Sequence, residues 1–223
     1  VARIIKLAIL VIFLALMILT LWMVVAHADV QWQYEIRGDG AIITGWEGDK
    51  PVGDLVIPSN IDEYSVIGIG DEAFKFSTGL TNVIIPGSVA HIGDDAFIFS
   101  DLASVTISEG VRSIGKFAFA FTNLTSLTIP ASVTSIGELA FSSCEDLIEV
   151  IISEGVTSIS DGAFLGCTSL TSVIIPESVT WIGVQAFLGC SSLPNVIIPE
   201  NVTYISVGAF SKCTSLTSVV IPV

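Results

Sequence analysis

Self-similarity at a fixed period governs what this chain can fold into. From Val66 the sequence reads V-x-x-I-x-x-x-A-F, then small residues, then L-x-x-V-x-I, often closed by Pro, and begins again. Seven units start at Val66, Val89, Val111, Val133, Val156, Val179 and Val202, with a 23-residue form that shortens to 22 in the second and third units. Phe recurs at 74, 97, 119, 141, 164, 187 and 210, always after Ala, and Ile at 69, 92, 114, 136, 159, 182 and 205. Leu falls at 80, 102, 124, 147, 170, 193 and 216, Val or Leu at 83, 105, 127, 150, 173, 196 and 219, and Ile at 85, 107, 129, 152, 175, 198 and 221. With the opening Val, six slots per unit are apolar. One unit cannot bury such a set alone. Stacked copies bury each slot beneath its counterpart and make a continuous core.

Spacing sets the local structure. In L-x-x-V-x-I the Val and Ile stand two apart, so both point to one face of a short strand. Pro at 86, 130, 176, 199 and 222 ends that strand, since it has no N–H for the ladder. Gly at 70, 93, 115, 137 and 183 suits a tight turn in I-G-x-x-A-F. The missing residue of the shorter units lies between Phe and Leu, outside the strand. These features predict a mostly β, right-handed solenoid with parallel strands on one face and short helical or 3-10 turns. With strands about 4.8 Å apart, seven rungs span roughly 30 Å.

Ahead of the array, residues 29–65 read as an N-terminal β cap, and residues 66–223 as the solenoid. Trp32, Tyr34 and Ile36 alternate with polar residues, Gly38-Asp39-Gly40 signals a turn, and Ala41 to Thr44 returns as a second strand. Asp54 to Pro58 copies the strand end of a repeat. Such a cap covers the first rung's open edge, which repeat arrays require. At the far end, Ile221-Pro222-Val223 reads as the end of a repeat strand, and an uncovered last rung there would permit end-to-end self-association.

Residues 1–28 read as a targeting segment. Arg3 and Lys6 precede a charge-free run from Leu7 to Val25, followed by Ala26-His27-Ala28, a small-x-small cleavage pattern. The apolar run is longer than a usual signal core and nearly long enough to cross a bilayer. Two fates therefore fit: cleavage after Ala28, or retention as an N-terminal membrane anchor. Both export the repeat array, giving a secreted or cell-surface protein. The chain carries 22 acidic against 8 basic residues. That charge argues against nucleic acid and anionic lipid as partners, and limits membrane contact to residues 1–28.

The units SVTSIGELAFSSCEDLIEVIIS (132–153) and SVTWIGVQAFLGCSSLPNVIIPE (178–200) closely resemble the BspA-like leucine-rich repeats of microbial surface proteins. The stretch ITGWEGDKPVGDLVIPSNIDEYSVIGIGDEAF (43–74) resembles that family's lead-in to its array. The resemblance covers residues 34–223 and implies the leucine-rich-repeat solenoid fold. It further implies adhesion, host-protein binding or cell–cell contact. The chain departs from the pattern in lacking Cys in three units.

Catalysis has few candidates. The histidines are His27, in the targeting segment, and His91, in a variable slot read as surface. No nucleophile-elbow or phosphate-loop sequence accompanies them, so no enzyme, cofactor or metal is expected. Cys144, Cys167, Cys190 and Cys213 recur every 23 residues where earlier units carry Ser77, Ser100 and Thr122. This reads as a buried ladder of small side chains, with disulfides between adjacent rungs as the alternative. The acids at Asp71-Glu72, Asp94-Asp95, Glu138 and Asp161 lack calcium-repeat spacing and read as caps of the following turn or as plainly solvated side chains. Asn123 and Asn201 head glycosylation sequons, but Leu124 and Val202 are ladder residues, so access is expected to be poor.

The outward side of the strands is the candidate binding surface for a protein or glycan. One column holds Ile84, Thr106, Thr128, Ile151, Ile174, Ile197 and Val220. The column beside it holds Asn82, Ser104, Ser126, Glu149, Ser172, Asn195 and Ser218. Solenoids bind along such faces, although β-propensity alone also selects Ile, Val and Thr for strands. A structural spacer or self-stacking array element is the alternative function.

Overall fold

Each unit contributes two short strands to two interrupted ladders. In the computed structural model the described residues are 30–221, so the targeting segment assigned to residues 1–28 lies outside them. The first ladder is built from the L-x-x-V-x-I segments: β3 (Gly53–Val56), β6 (Leu80–Ile85), β8 (Ser104–Ile107), β10 (Ser126–Ile129), β12 (Glu149–Ile152), β14 (Ser172–Ile174), β16 (Asn195–Ile197) and β18 (Ser218–Val220). Where its strands pair, they do so in parallel, Val83 facing Val105 and Leu127 facing Val150.

A second ladder lies over the V-x-x-I segments, for which no strand was predicted within the repeats. It comprises β2 (Gly40–Glu47), β5 (Tyr64–Ile69), β7 (His91–Ile92), β9 (Ser113–Ile114), β11 (Ser135–Ile136), β13 (Ser158–Ile159), β15 (Trp181–Ile182) and β17 (Tyr204–Ile205). A two-residue strand carries too little periodicity to be seen in one unit. It forms because the equivalent dipeptide lies in register on the neighbouring rung, as His91 does on Ser113 and Ile92 on Ile114. β1 (Gln31–Arg37) joins β2 across the Gly38-Asp39 turn, and β4 (Asn60–Ile61) pairs antiparallel with β5.

The lead-in residues make a partial rung of their own. β2 sets Ala41 against Val66 and Ile43 against Ile69, all of them buried, while β3 sets Leu55 against Val83. Trp46 then stands where a repeat would place its Phe, its ring stacked 5.6 Å from Phe74 with Trp32 edge-on at 6.2 Å. Those two indoles cover the first ring of the phenylalanine column.

No described residue is helical, and the expected short helical turns are absent from I-G-x-x-A-F. The hydrogen bonds explain why. The N–H groups of Ala73, Lys75 and Ser77 close turns on the carbonyls of Gly70, Glu72 and Phe74, whereas those of Glu72, Phe74 and Phe76 reach the carbonyls of Asp94, Ala96 and Ile98 on the next rung. A helix would keep every N–H within its own segment; here every second one is given to the neighbour. The alternation puts the residues two before and two after each Phe in the left-handed region, as at Glu72 (φ 58°) and Phe76 (φ 55°). The Gly of the I-G pair has a different reason for being Gly. A Cβ on Gly115 would lie 2.5 Å from the carbonyl carbon of Gly93 on the rung before it, so close approach of two backbones excludes a side chain.

The core is a product of this stacking. Phe74, Phe97, Phe119, Phe141, Phe164 and Phe187 are fully buried, with successive rings along the column to Phe210 lying 4.9–5.5 Å apart and 2–11° from parallel. The cysteines line a second column beside them and all four are free thiols. Each Sγ donates to a Phe carbonyl one rung back: Cys144 to Phe119, Cys167 to Phe141, Cys190 to Phe164 and Cys213 to Phe187, at 3.2–3.3 Å. Burial pushes the thiol of Cys144 up to about 11 and that of Cys190 up to about 12, and raises Cys167 well above its ordinary value.

Stability should respond to both columns. Phe141→Ala should cost about 3–5 kcal/mol, because rigid neighbours on both sides cannot close the gap; urea unfolding of the two proteins measures it. The unfolded chain loses thiol protons near pH 9, the ordinary value, while the folded chain keeps them. Stability is therefore full below that pH and falls as pH climbs toward 11. A Cys144→Ala/Cys190→Ala variant should show a shallower loss between pH 9 and 11 in denaturant titrations.

Candidate functional site

Alternation along each strand of the first ladder turns one column inward and the next outward. Val150 and Ile152 are buried, whereas Glu149 faces solvent and Ile151 is half-buried. The structure places all fourteen candidate residues on this outward side. Asn82 lies beside Ser104 and Ile84 beside Thr106. Ser126, Glu149 and Ser172 form one run, as do Thr128, Ile151 and Ile174. Asn195 faces Ser218, and Ile197 faces Val220. Asn82, Ile151 and Ser172 are half-buried; the others are exposed.

The columns are not continuous. Strand pairing lapses between β8 and β10 and again between β14 and β16, and the second gap has a chemical cause. Just ahead of each strand, an N–H reaches back one rung: Ala103 to the Thr81 carbonyl, Thr125 to Ala103, Ile148 to Thr125, Thr171 to Ile148, and Thr217 to Pro194. At the sixth unit the donor position is Pro194 itself, which has no N–H to give to the Thr171 carbonyl. There a hollow of about 470 Å³ opens, lined by Ser172, Ile174, Glu177, Asn195, Ile197 and Glu200. Ile174 is 52% and Ile197 66% exposed, more than any other isoleucine of the outward column.

Several acidic residues tie rungs together. Asp71 accepts from the N–H of Asp94, Asp94 from that of Lys116, and Asp161 from that of Val184, at 2.6–2.8 Å. The capped turn is thus the next one along the axis rather than the residue's own. Glu109 takes the N–H groups of Ala131 and Ser132, and Glu154 those of Glu177 and Ser178. Among the described residues no group of three or more His, Cys, Asp or Glu converges as a metal site would require. His91 is exposed, its Nδ1 2.8 Å from the Ser113 hydroxyl. The sequon asparagines, expected to be poorly accessible, are both exposed, because the ladder residues after them turn inward and leave the Asn outside.

Sequence reasoning missed a second surface. Phe76, Phe99 and Phe121, two residues beyond the buried Phe in the first three units, are 51%, 42% and 43% exposed and stack on one another at 5.3 and 4.5 Å. The signal was a further recurrence of Phe, at 76, 99 and 121, in step with the core column.

Two parallel ladders, in-register phenylalanine and leucine columns and the L-x-x-V-x-I strand define a leucine-rich-repeat solenoid. The chain belongs to the family of the BspA type leucine rich repeat region, six copies of which match over residues 53–153 and 112–223. The crystal structure of the T. pallidum leucine-rich-repeat protein TpLRR is similar, with 32% identity over 73% of this chain and 88% of that one, at a TM-score of 0.58. The pneumococcal vaccine antigen PcpA shares the fold at 16% identity, over 88% of this chain and 69% of that one, with a TM-score of 0.54. No curated protein matches the chain.

Pro194→Thr should restore the hydrogen bond to the Thr171 carbonyl, since Thr fills that slot at 81, 125, 171 and 217. The expected gain is about 0.5–1.5 kcal/mol, read as a higher urea midpoint, with slower amide exchange in β14 and β16.

Proposed function

We propose that this chain is an exported leucine-rich-repeat binding module that takes a protein partner along its outward strand face, at a cell surface or in secreted form. The observation that carries the reading is the opening at Pro194. There two exposed isoleucines flank a hollow in the strand ladder, and a partner's apolar side chain would find both area and depth. The outward columns hold no aromatic ring on which a sugar could stack, which turns the reading toward protein rather than glycan. Export rests on the composition of residues 1–28 and on the surface and adhesion roles associated with BspA-type repeats.

The uninterrupted core supports a non-enzymatic role. Side chains fill the interior from rung to rung, and the strand-face hollow, lined by Ser172, Asn195, Glu177 and Glu200 among apolar side chains, has no His or Cys in its lining.

The test is a pull-down from surface extracts of neighbouring and host cells with the full chain and an Ile174→Ser/Ile197→Ser variant. The variant should unfold at nearly the parent's urea midpoint, within about 0.5 kcal/mol as for exposed sites, and lose most of the capture. Equal capture by both proteins would remove the strand face from consideration.

A further inference from the structure

The exposed phenylalanine stripe sits on backbone that disfavours it. Phe76, Phe99 and Phe121 have φ of 55°, 56° and 57°, in the left-handed region where a Cβ is crowded. At the same slot later units place Ser143, Gly166, Gly189 and Lys212, at φ 55°, 74°, 78° and 59°. Three bulky apolar side chains thus occupy solvent-facing positions that glycine would fill with less strain. The left-handed backbone is common to every unit, so what sets these three apart is a large apolar side chain turned to solvent at each.

The stripe has one open end. Phe99 covers one face of the Phe121 ring. On the other side the next unit supplies Ser143 instead of Phe, leaving a hollow of about 270 Å³ lined by Phe121, Asn123, Ser143, Glu145 and Asp146. The chain itself shows what fits a ring beside carboxylates. Lys75 Nζ lies 5.7 Å from the Phe76 ring centre and 3.1 Å from Glu72, and Lys116 Nζ lies 5.6 Å from Phe117 and 3.0 Å from Glu138. At Phe121 the ring and two exposed carboxylates are present, and among the described residues no Lys or Arg is placed over it. The net charge of −14 favours approach of a cation.

We propose that the open face of Phe121, with Glu145 and Asp146, receives an arginine or lysine side chain from a basic segment of a partner protein. The cation rests on the ring and pairs with the carboxylates, while neighbouring apolar side chains of the segment lie along Phe99 and Phe76. This surface is distinct from the strand face and does not depend on it.

The test titrates the full chain with a short labelled peptide alternating arginine with leucine, beside its twin carrying neutral citrulline for arginine, and reads fluorescence anisotropy. The arginine peptide should bind, more weakly as salt rises, and the citrulline twin at least roughly tenfold more weakly. Phe121→Gly, which keeps a residue suited to the backbone, should fold and weaken the arginine peptide by a similar factor. Glu145→Gln/Asp146→Asn should reduce binding and flatten its salt dependence, whereas Glu35→Gln/Asp39→Asn, removing equal charge at the β1–β2 hairpin, should not. Absence of binding, equal binding of the citrulline twin, retention of affinity in Phe121→Gly, or an equal loss in the hairpin variant would each overturn the proposal.

Discussion

Neighbouring rungs meet at the separation a parallel β ladder imposes, about 4.8 Å, and the buried phenylalanines stack at nearly that spacing, 4.9–5.5 Å. One distance therefore satisfies backbone hydrogen bonding on both strand ladders and ring contact in the core. The remaining features adjust to it. Gly93, Gly115, Gly137 and Gly183 lack a side chain where a Cβ would lie 2.5–2.6 Å from the preceding rung's backbone. The cysteine thiols reach a carbonyl one rung back, and carboxylates such as Asp71 and Glu154 reach the next rung's N–H groups. Trp46 closes the column at Phe74 as an indole stacked where a further Phe would stand.

A structure held together this way separates residues that maintain the array from residues free to vary. Inward slots repeat because each must match the unit on either side. Outward slots face only water, so their variation is where a binding surface can be written. The two surfaces here arise from departures from periodicity. Pro194 withholds one N–H and opens the strand face beside Ile174 and Ile197. Ser143 succeeds three exposed phenylalanines and leaves the last ring uncovered. In both places a single residue out of step with its column creates shape on an otherwise uniform surface.

Much of the fold was legible from residues alone. The Phe, Leu and Ile columns specified the solenoid and its register, since identical slots at a fixed period can be buried together only by stacking. The outward columns of the strand face came from the two-residue alternation of L-x-x-V-x-I. The second ladder did not, because a strand of two residues such as Ser135–Ile136 has no pattern of its own. Nor did the turn: A-F flanked by small residues reads as a helical turn until the neighbouring rung is present to accept every second N–H. Asn123 and Asn201 were misjudged for a related reason, since proximity in sequence to an inward residue says nothing of which way the next side chain turns.

By itself, then, the sequence determined the repeat length, the members of each core column, the excess of acidic residues and the charge-free apolar run from Leu7 to Val25, all of which are properties of composition and spacing along one chain. The tertiary structure decided which N–H groups are shared between rungs, which phenylalanines are core and which are displayed, and where the outer surface opens. Those depend on what lies one rung away. A residue 22 or 23 positions distant along the chain becomes the nearest neighbour only once the coil has closed.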